Sequence, residues 1–247
     1  MEEVIRNKEY RLYVLDGHGT CCSDDPRLAP SVLSHPIAGG GMSSPQSSSM
    51  TIPQHIVVER DACIDMVLLV MPGVNCDIKL DVKLAGEGAE ANIYGAYVCG
   101  GDERVNISVD MHHDLPHCNS RQLFKGIAGG MSKVDFYGKI IVAQDAQRTE
   151  AYQENHNILL TDGAKVDTKP QLEIYADDVK CSHGATIGRL NEEEQFYMRS
   201  RGISLEDAKV LQMISFIAPV LENIPEADRE TVALQFEDAI RNIARCL

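Results

Sequence analysis

A long series of short extended segments, from Gln54 to about Ile187, is the feature that most constrains the fold of this chain. Most of the segments alternate apolar and polar residues, which is the period of half-buried strands. Turn signals rich in glycine, proline and aspartate separate them. The segments are HIVVE, MVLLVM, IKLDVKL, ANIYGAYV, VNISVDM, VDFYGKIIVA, NILL, AKVDT and LEIYA. No sustained helical period lies between them, so the sequence argues against a doubly wound α/β fold. It predicts a sandwich, a barrel or a β-solenoid, and no strict repeat is visible that would select the solenoid.

The apolar period changes from two to 3.6 near Asn191. Asn191 with Glu194 three residues later has the form of a helix N-cap and capping box, and Gly202 fits a C-terminal stop. Further helices are predicted downstream, and the last one carries an apolar stripe. The stripe consists of Val232, Phe236, Ile240, Ile243 and Leu247. Amphipathic helices serve both internal packing and partner docking, and the sequence leaves both uses open for this stripe.

The segment 17–53 differs from the rest of the chain in composition. It contains the pair Cys21-Cys22, several prolines and the run GGGMSSPQSSS. Such a composition is typical of a long polar loop, part of which we expect to be mobile. The predicted organisation is a short N-terminal segment with a mobile loop (1–53), a β core (54–188) and a C-terminal helical domain (189–247).

The charge and the apolar runs of the chain limit its partners and its location. The formal net charge is −14 at pH 7, which disfavours nucleic acid and anionic membrane surfaces as partners. The first residues lack the apolar core of a signal peptide, and the longest apolar run, Met66 to Met71, is far too short to span a bilayer. We therefore expect a cytoplasmic location.

Eight cysteines are scattered along the chain without a CxxC pair, so neither a zinc ribbon nor a redox dithiol is indicated. Most of them are expected to be buried thiols. The densest polar cluster is DMHHDLPHC, which contains Asp110, His112, His113, Asp114, His117 and Cys118. Adjacent strand residues point to opposite faces, so His112 and His113 are poorly placed to ligate one metal ion. A structural or surface role is favoured there over a metal site.

Cys181 and His183 are better placed as candidate ligands. In an extended segment they point to the same face, about 7 Å apart in Cα. They could form half of a metal or cluster site, completed by residues from elsewhere or from another subunit, although a lone cysteine and histidine are more often core residues. No Walker A, GxSxG or HExxH motif occurs in the chain, which argues against a hydrolase.

The segment YADDVKCSHGATIGRLNEEEQFYMRSRGI closely resembles the signature of the SufB/SufD family of the SUF iron–sulfur cluster assembly machinery. Further matches are HDLPHCNSRQLFKGIAGG and FYGKIIVAQDAQRTEAYQENHNILLTDGAKVDTKPQLEIYADDV. The resemblance is strong over 113–203 and looser over 54–112 and the tail. It implies a right-handed parallel β-helix followed by a small C-terminal helical domain. Together with the absence of Walker A, GxSxG and HExxH motifs, the resemblance leads us to expect a protein that is not an enzyme.

The resemblance also implies partners and cargo. Family members dock a SufC-like ABC ATPase through the C-terminal helices, and two SufB/SufD-type subunits pair through their β-helices. The partner here would be a SufB-like subunit or a second copy of the chain. A transient iron–sulfur cluster is handled near that interface, which assigns Cys181 and His183 as candidate iron or cluster ligands. A purely structural interaction subunit and a homodimeric scaffold of a minimal two-component system remain alternatives.

Two departures from the SufB pattern point to the SufD type. Gly184 stands where SufB-type chains carry a glutamate that is a proposed ligand, and Asn155 stands where they carry their scaffold cysteine. The resemblance also makes this a short form, because family members usually carry a substantial helical domain before the β-helix.

Overall fold

The computed structural model describes residues 2–15, 20–22 and 52–245, and shows two parallel β-sheets followed by three helices. The strands are β1 (Glu2–Ile5), β2 (Lys8–Leu15), β3 (Thr20–Cys22), β4 (His55–Val58), β5 (Cys63–Val70), β6 (Cys76–Leu84), β7 (Glu90–Cys99), β8 (Arg104–His113), β9 (Asn119–Ala128), β10 (Lys133–Val142), β11 (Glu150–Leu159), β12 (Lys165–Ile174) and β13 (Lys180–Gly188). The helices are α1 (Glu192–Ser200), α2 (Leu205–Leu221) and α3 (Glu226–Ala244).

Most of the predicted 17–53 loop lies outside the described residues, and so does the prediction that part of it is mobile. Where the structure describes this segment, it corrects the prediction in one place. Thr20–Cys22 is not loop but the short strand β3, which pairs antiparallel with the end of β2.

Successive strands from β4 onward alternate between the two sheets, which is the winding of a β-solenoid. One sheet has the order β1-β4-β6-β8-β10-β12, and the other has the order β13-β11-β9-β7-β5-β2-β3. All described pairings except that of β2 with β3 are parallel. The predicted parallel β-solenoid is therefore confirmed, and each coil contributes one strand to each sheet.

The stacked coils have a structural repeat that the sequence conceals. Val105, Val134 and Val166 lie in register on neighbouring strands, 29 and 32 residues apart. The neighbouring row contains Ile107, Phe136 and Thr168. The spacing changes from coil to coil, and so do the residue types in each row. A solenoid needs only that inward-facing residues fill the space between the sheets, so its sequence repeat can be weak.

Two strand predictions need correction, one because inward-facing polar residues hide the alternation and one because a proline interrupts it. NILL is only the end of the ten-residue strand β11, and AKVDT and LEIYA are parts of the single strand β12, which continues through Pro170. β9 was not among the predicted segments. On β9 and β11 the inward-facing positions include Gln122, Gln153 and Asn155, all buried, so apolar and polar residues no longer alternate there.

The solenoid has an inner core between its sheets and a second core on the outside. The second core joins outward-facing residues of β2, β5, β7 and β9, such as Leu69 and Val98, to α2 and α3. The predicted stripe is buried there at Val232, Phe236, Ile240 and Ile243, while Leu247 lies outside the described residues. Full burial of each large apolar side chain contributes about 1.5–3 kcal/mol. This stripe therefore serves internal packing, in a core that α3 shares with α2 and the β-body.

The cap of α1 agrees with the prediction. Asn191 Oδ1 accepts hydrogen bonds from the backbone N–H groups of Glu193 at 2.9 Å and Glu194 at 3.3 Å. The Glu194 carboxylate instead accepts a bond from Gln212 of α2 at 2.7 Å, and Gly202 adopts φ +89° just after the helix. No helix in the described part of the chain combines the length and apolar composition needed to cross a bilayer.

Candidate functional site at the open end of the solenoid

The last coil, formed by β12 and β13, is an open end of the solenoid. In the described residues β12 pairs only with β10, and β13 pairs only with β11. The inward-facing residues of β10 and β11 are buried almost throughout, whereas those of the last coil are at best half-buried. Ile174 and Ile187 are 40% and 45% exposed. This end therefore leaves part of the inner core open to solvent.

The two free edges at this end differ in their hydrogen-bonding groups. Lys180 N donates to Thr149 O of the preceding coil, and successive N–H groups of a strand point to opposite sides. The N–H groups of Cys181, His183, Ala185 and Ile187 thus point to the free edge of β13. On β12, Lys165 N donates to Ser132 O, so Pro170 occupies a position that faces the free edge, where it has no N–H to offer. β13 is uninterrupted as a pairing edge and β12 is not.

Cys181 and His183 lie on the inward face of β13, as predicted from their spacing. Their register partners on β11 are Ala151 and Gln153, both of which are buried between the sheets. Cys181 is half-buried against the inner core, and burial raises the pKa of its thiol. His183 is exposed. A neutral thiol and an imidazole thus share the inward face of the last strand, at the open end.

Behind these two residues the interior of the solenoid is polar. Gln153 Nε2 donates to Gln122 Oε1 at 3.1 Å, Asn157 Nδ2 donates to Asn155 Oδ1 at 2.6 Å, and the Tyr97 hydroxyl donates to Asn157. Gln122 Nε2, Gln153 Oε1 and Asn155 Nδ2 are buried without partners. The predicted strand segments do not include Gln122, Gln153 or Asn155 of this cluster. The available signal was a set of amides at alternate positions of RQLF and YQENHN.

The polar cluster DMHHDLPHC does not converge on a common point. His112 faces outward, with Nε2 3.4 Å from Asp81 Oδ1, and His113 faces inward, with Nε2 2.8 Å from Ser120 Oγ. Burial lowers the pKa of His113 to about 4, so this imidazole is neutral at pH 7. The prediction that His112 and His113 point to opposite faces is confirmed.

The remaining residues of the cluster have structural positions. His117 is exposed in a turn with φ +61°, while Cys118 is buried and its thiol donates to Gly86 O at 3.2 Å. Burial also raises the pKa of the Cys118 thiol. Across the residues that the structure describes, no group of three or more His, Cys, Asp or Glu side chains is arranged to hold a metal ion.

The two positions that depart from the SufB pattern have opposite environments. Asn155 faces inward and is fully buried in the amide cluster. Gly184 alternates with Cys181 and His183 and so faces outward, and a Cβ added there would meet nothing within 4 Å. A larger residue at position 184 would fit without any rearrangement.

A second candidate surface is a groove of about 770 Å³ between α1 and α2. Its lining includes Tyr197, Met198, Leu211 and Phe216 together with Glu193 and Glu194. Tyr197 is 57% exposed, and Phe196 beside it is 73% exposed. Exposed aromatic residues on a helix that covers no core are typical of protein interaction sites.

Comparison with known proteins identifies one family to which this chain is similar. The family model described as "SUF system FeS cluster assembly, SufBD core domain" matches residues 44–216. The iron–sulfur cluster assembly protein SufD of Escherichia coli is 44% identical over 140 residues, which cover 57% of this chain and 33% of SufD.

Two further relatives come from distant organisms. An iron–sulfur cluster assembly SufBD family protein of Mycobacterium tuberculosis is 30% identical over 194 residues, which cover 74% of this chain and 49% of that protein. Protein ABCI7, chloroplastic, of Arabidopsis thaliana is 39% identical over 133 residues, which cover 53% of this chain and 28% of the relative. In each of these three comparisons the aligned region spans less than half of the relative's length.

Proposed function

The chain belongs to the SufB/SufD family of SUF iron–sulfur cluster assembly proteins, and from this premise we propose that it is a non-catalytic scaffold subunit of an iron–sulfur cluster assembly complex. It pairs through the open end of its solenoid with a SufB-like subunit or with a second copy of itself. It docks a SufC-like ABC ATPase on its C-terminal helices. The observation that carries this proposal is the uncovered last coil, which presents Cys181 and His183 beside the uninterrupted free edge of β13.

Pairing is supported by the chemistry of the open end. A free strand edge offers a row of N–H and C=O groups that another strand can satisfy. The exposed Ile174, Tyr175 and Ile187 add apolar surface to this row. A two-fold partner with the same end would cover both features and would complete the inner core.

Iron handling is supported by the residues that such a pairing would bring together. Thiolate sulfur and imidazole nitrogen are the ligands that iron and iron–sulfur clusters prefer. A two-fold axis near β13 would place two copies of Cys181 and His183 close to one another, which gives four ligands for a transient cluster. Because burial raises the pKa of Cys181, loading must displace a proton from its thiol.

Docking of the ATPase is supported by the α1–α2 groove. Tyr197 and Leu211 line this groove and Phe196 lies beside Tyr197. All three are exposed and belong to neither apolar core, unlike the stripe on α3. The chain itself has no Walker A motif, so nucleotide hydrolysis is assigned to the partner. ATP-driven movement of that partner would then shift the two paired subunits relative to one another and change access to the interface.

Anaerobic reconstitution with iron and sulfide, alone and with the ATPase, tests the ligand assignment. We expect the visible cluster absorption to fall at least tenfold in Cys181→Ser and in His183→Ala. Cys63→Ser is the matched control, because Cys63 is also half-buried but lies on β5, away from the open end. Equal absorption in the parent and in both site variants would refute the assignment of Cys181 and His183.

The second candidate function is a purely structural interaction subunit, which pairs and docks the ATPase without contacting iron. Gly184 and Asn155 favour this alternative, because they replace the glutamate and cysteine of the SufB pattern. Reconstitution of a mixed complex distinguishes the two functions. If cluster absorption depends only on the thiols of a SufB-like partner, this chain is the structural subunit.

A further inference from the structure

A row of four inward-facing residues leads from the interior of the solenoid to its open end. The strand register places Ile93 beside Gln122, Gln122 beside Gln153, and Gln153 beside His183. Both glutamines are buried, and Gln153 Nε2 donates to Gln122 Oε1 at 3.1 Å. The middle of the row is therefore an amide ladder of two rungs, with the imidazole of His183 as the next residue toward solvent.

This ladder has a direction. Stacked side-chain amides form ladders in which each amide donates to one neighbour and accepts from the other. Gln153 donates inward to Gln122, which leaves its Oε1 for the neighbour on the open side. That oxygen is buried and has no partner, which is unfavourable for a buried acceptor. On the open side of Gln153, His183 is the residue in the row that can supply the donor.

The Gln153 amide is held in place from a second side. A Cβ added at Gly138, on the facing strand β10, would lie 1.8 Å from Gln153 Nε2, so the absence of a side chain at Gly138 makes room for this amide. Gln122 and the backbone of Gly138 together fix where Oε1 lies. His183 is the register neighbour of Gln153 on the open side, and its side chain is exposed.

We propose that Gln153 is a positioning residue for His183, and that Gln153 Oε1 accepts a hydrogen bond from one ring N–H of His183. The bond holds the neutral imidazole in one tautomer and turns the unprotonated nitrogen toward the open end. Histidine ligands of metals are held in this way by an acceptor on their other ring nitrogen. The use of that nitrogen for iron rests on the proposed function, whereas the hydrogen bond itself does not.

The test is ¹⁵N NMR of the histidine rings in the chain alone, without iron, sulfide or partner, at a pH above which the His183 signals no longer change. We expect the two ring nitrogens of His183 to give the widely separated frequencies of a single tautomer. In Gln153→Met the two frequencies should move toward each other, because the acceptor is lost at nearly constant volume. Gln153→Glu keeps an acceptor for the ring N–H, so the two frequencies should again be widely separated, with values changed by the charge of the carboxylate.

Two controls keep the outcome decisive. His156 faces outward, with Nδ1 2.8 Å from Thr186 Oγ1, and its signals should be unchanged in both variants. If Gln153→Met does not fold, the reciprocal variant His183→Ala, at an exposed position, should shift the Gln153 side-chain amide signals, and His156→Ala should not. Identical His183 frequencies in the parent and Gln153→Met, or unmoved Gln153 signals in His183→Ala, would overturn the proposal. Failure of cluster reconstitution would leave these signals unaffected and would refute only the proposed function.

Discussion

Pro170 on β12 is the register partner of Gly138 on β10, and it is the one proline within the described strands. Because Lys165 and Tyr175 donate to the β10 coil, the position of Pro170 faces the free edge. A proline is tolerated there since no ladder hydrogen bond within the chain is lost. The same proline would interrupt the row of hydrogen bonds between β12 and any strand added at its free edge. If the open end pairs through a strand edge, as proposed, that edge is therefore β13.

This assignment predicts the effect of a proline on β13. The N–H of Ala185 points to the free edge, so Ala185→Pro should lower the free energy of unfolding by no more than about 1 kcal/mol. It should nevertheless abolish pairing, because the partner strand loses a hydrogen bond and meets the proline ring. Light scattering after size-exclusion chromatography measures the pairing, and urea denaturation measures the stability.

Ser182→Pro is the matched control, since the N–H of Ser182 points toward β11 in the alternation set by Lys180. It removes a hydrogen bond inside the chain and should destabilise the protein by about 2–3 kcal/mol. Unchanged association of Ala185→Pro would show that β13 is not the pairing edge.

The amide pair Gln122–Gln153 predicts strong coupling between two buried residues. Gln122→Met or Gln153→Met alone leaves the other amide without its partner and should cost about 1–3 kcal/mol. The double variant removes both amides and should be close to the parent in stability, because no amide of the pair remains buried without a partner. A double-mutant cycle by urea denaturation measures this coupling, and additive losses would contradict it.

Because His113 is buried as a neutral imidazole, we expect the stability of the fold to depend on pH. Burial lowers its pKa to about 4 in the folded chain, against about 6.5 when unfolded. Between these values the unfolded state binds a proton that the folded state does not, so stability falls as the pH falls. The slope is at most about 1.4 kcal/mol per pH unit. Stability is unaffected by this group above about pH 6.5.

Comparison with His113→Gln isolates this contribution, since the carboxylates that titrate in the same range are common to both proteins. The parent should lose more stability than the variant between about pH 6.5 and pH 4. Parallel stability curves of the two proteins would contradict the assignment.

Local patterns were sufficient to predict many of the elements and the shared face of Cys181 and His183. The alternation in VNISVDM and the cap at Asn191 gave elements that the structure contains. The shared face of Cys181 and His183 and the opposite faces of His112 and His113 follow from the two-residue period of a strand. These features depend only on neighbours in sequence, so the sequence suffices for them.

The amide ladder and the open end could not be predicted in this way, because both depend on register between coils. Gln122 and Gln153 are 31 residues apart, and a one-residue slip would turn one of them outward. The repeat that would have fixed the register is hidden by unequal coil lengths, as in the row Val105, Val134 and Val166. A proline inside a strand is typical of an edge strand, so Pro170 could have indicated the free edge of β12. The sequence prediction instead divides β12 at Pro170 into AKVDT and LEIYA.

The α1–α2 groove predicts where an ATPase partner binds. Phe196→Ala with Tyr197→Ala should reduce its affinity at least tenfold, because aromatic residues that become buried at an interface commonly contribute more than 1 kcal/mol each. Both side chains are exposed, so the free energy of unfolding should change by less than about 0.5 kcal/mol. Leu234→Ala is the matched control: Leu234 is 57% exposed, like Tyr197, but lies on α3 outside the groove. Isothermal titration with the purified ATPase measures the affinity. If the Leu234 variant loses as much affinity as the double variant, the docking surface is not this groove but the outer face of α3.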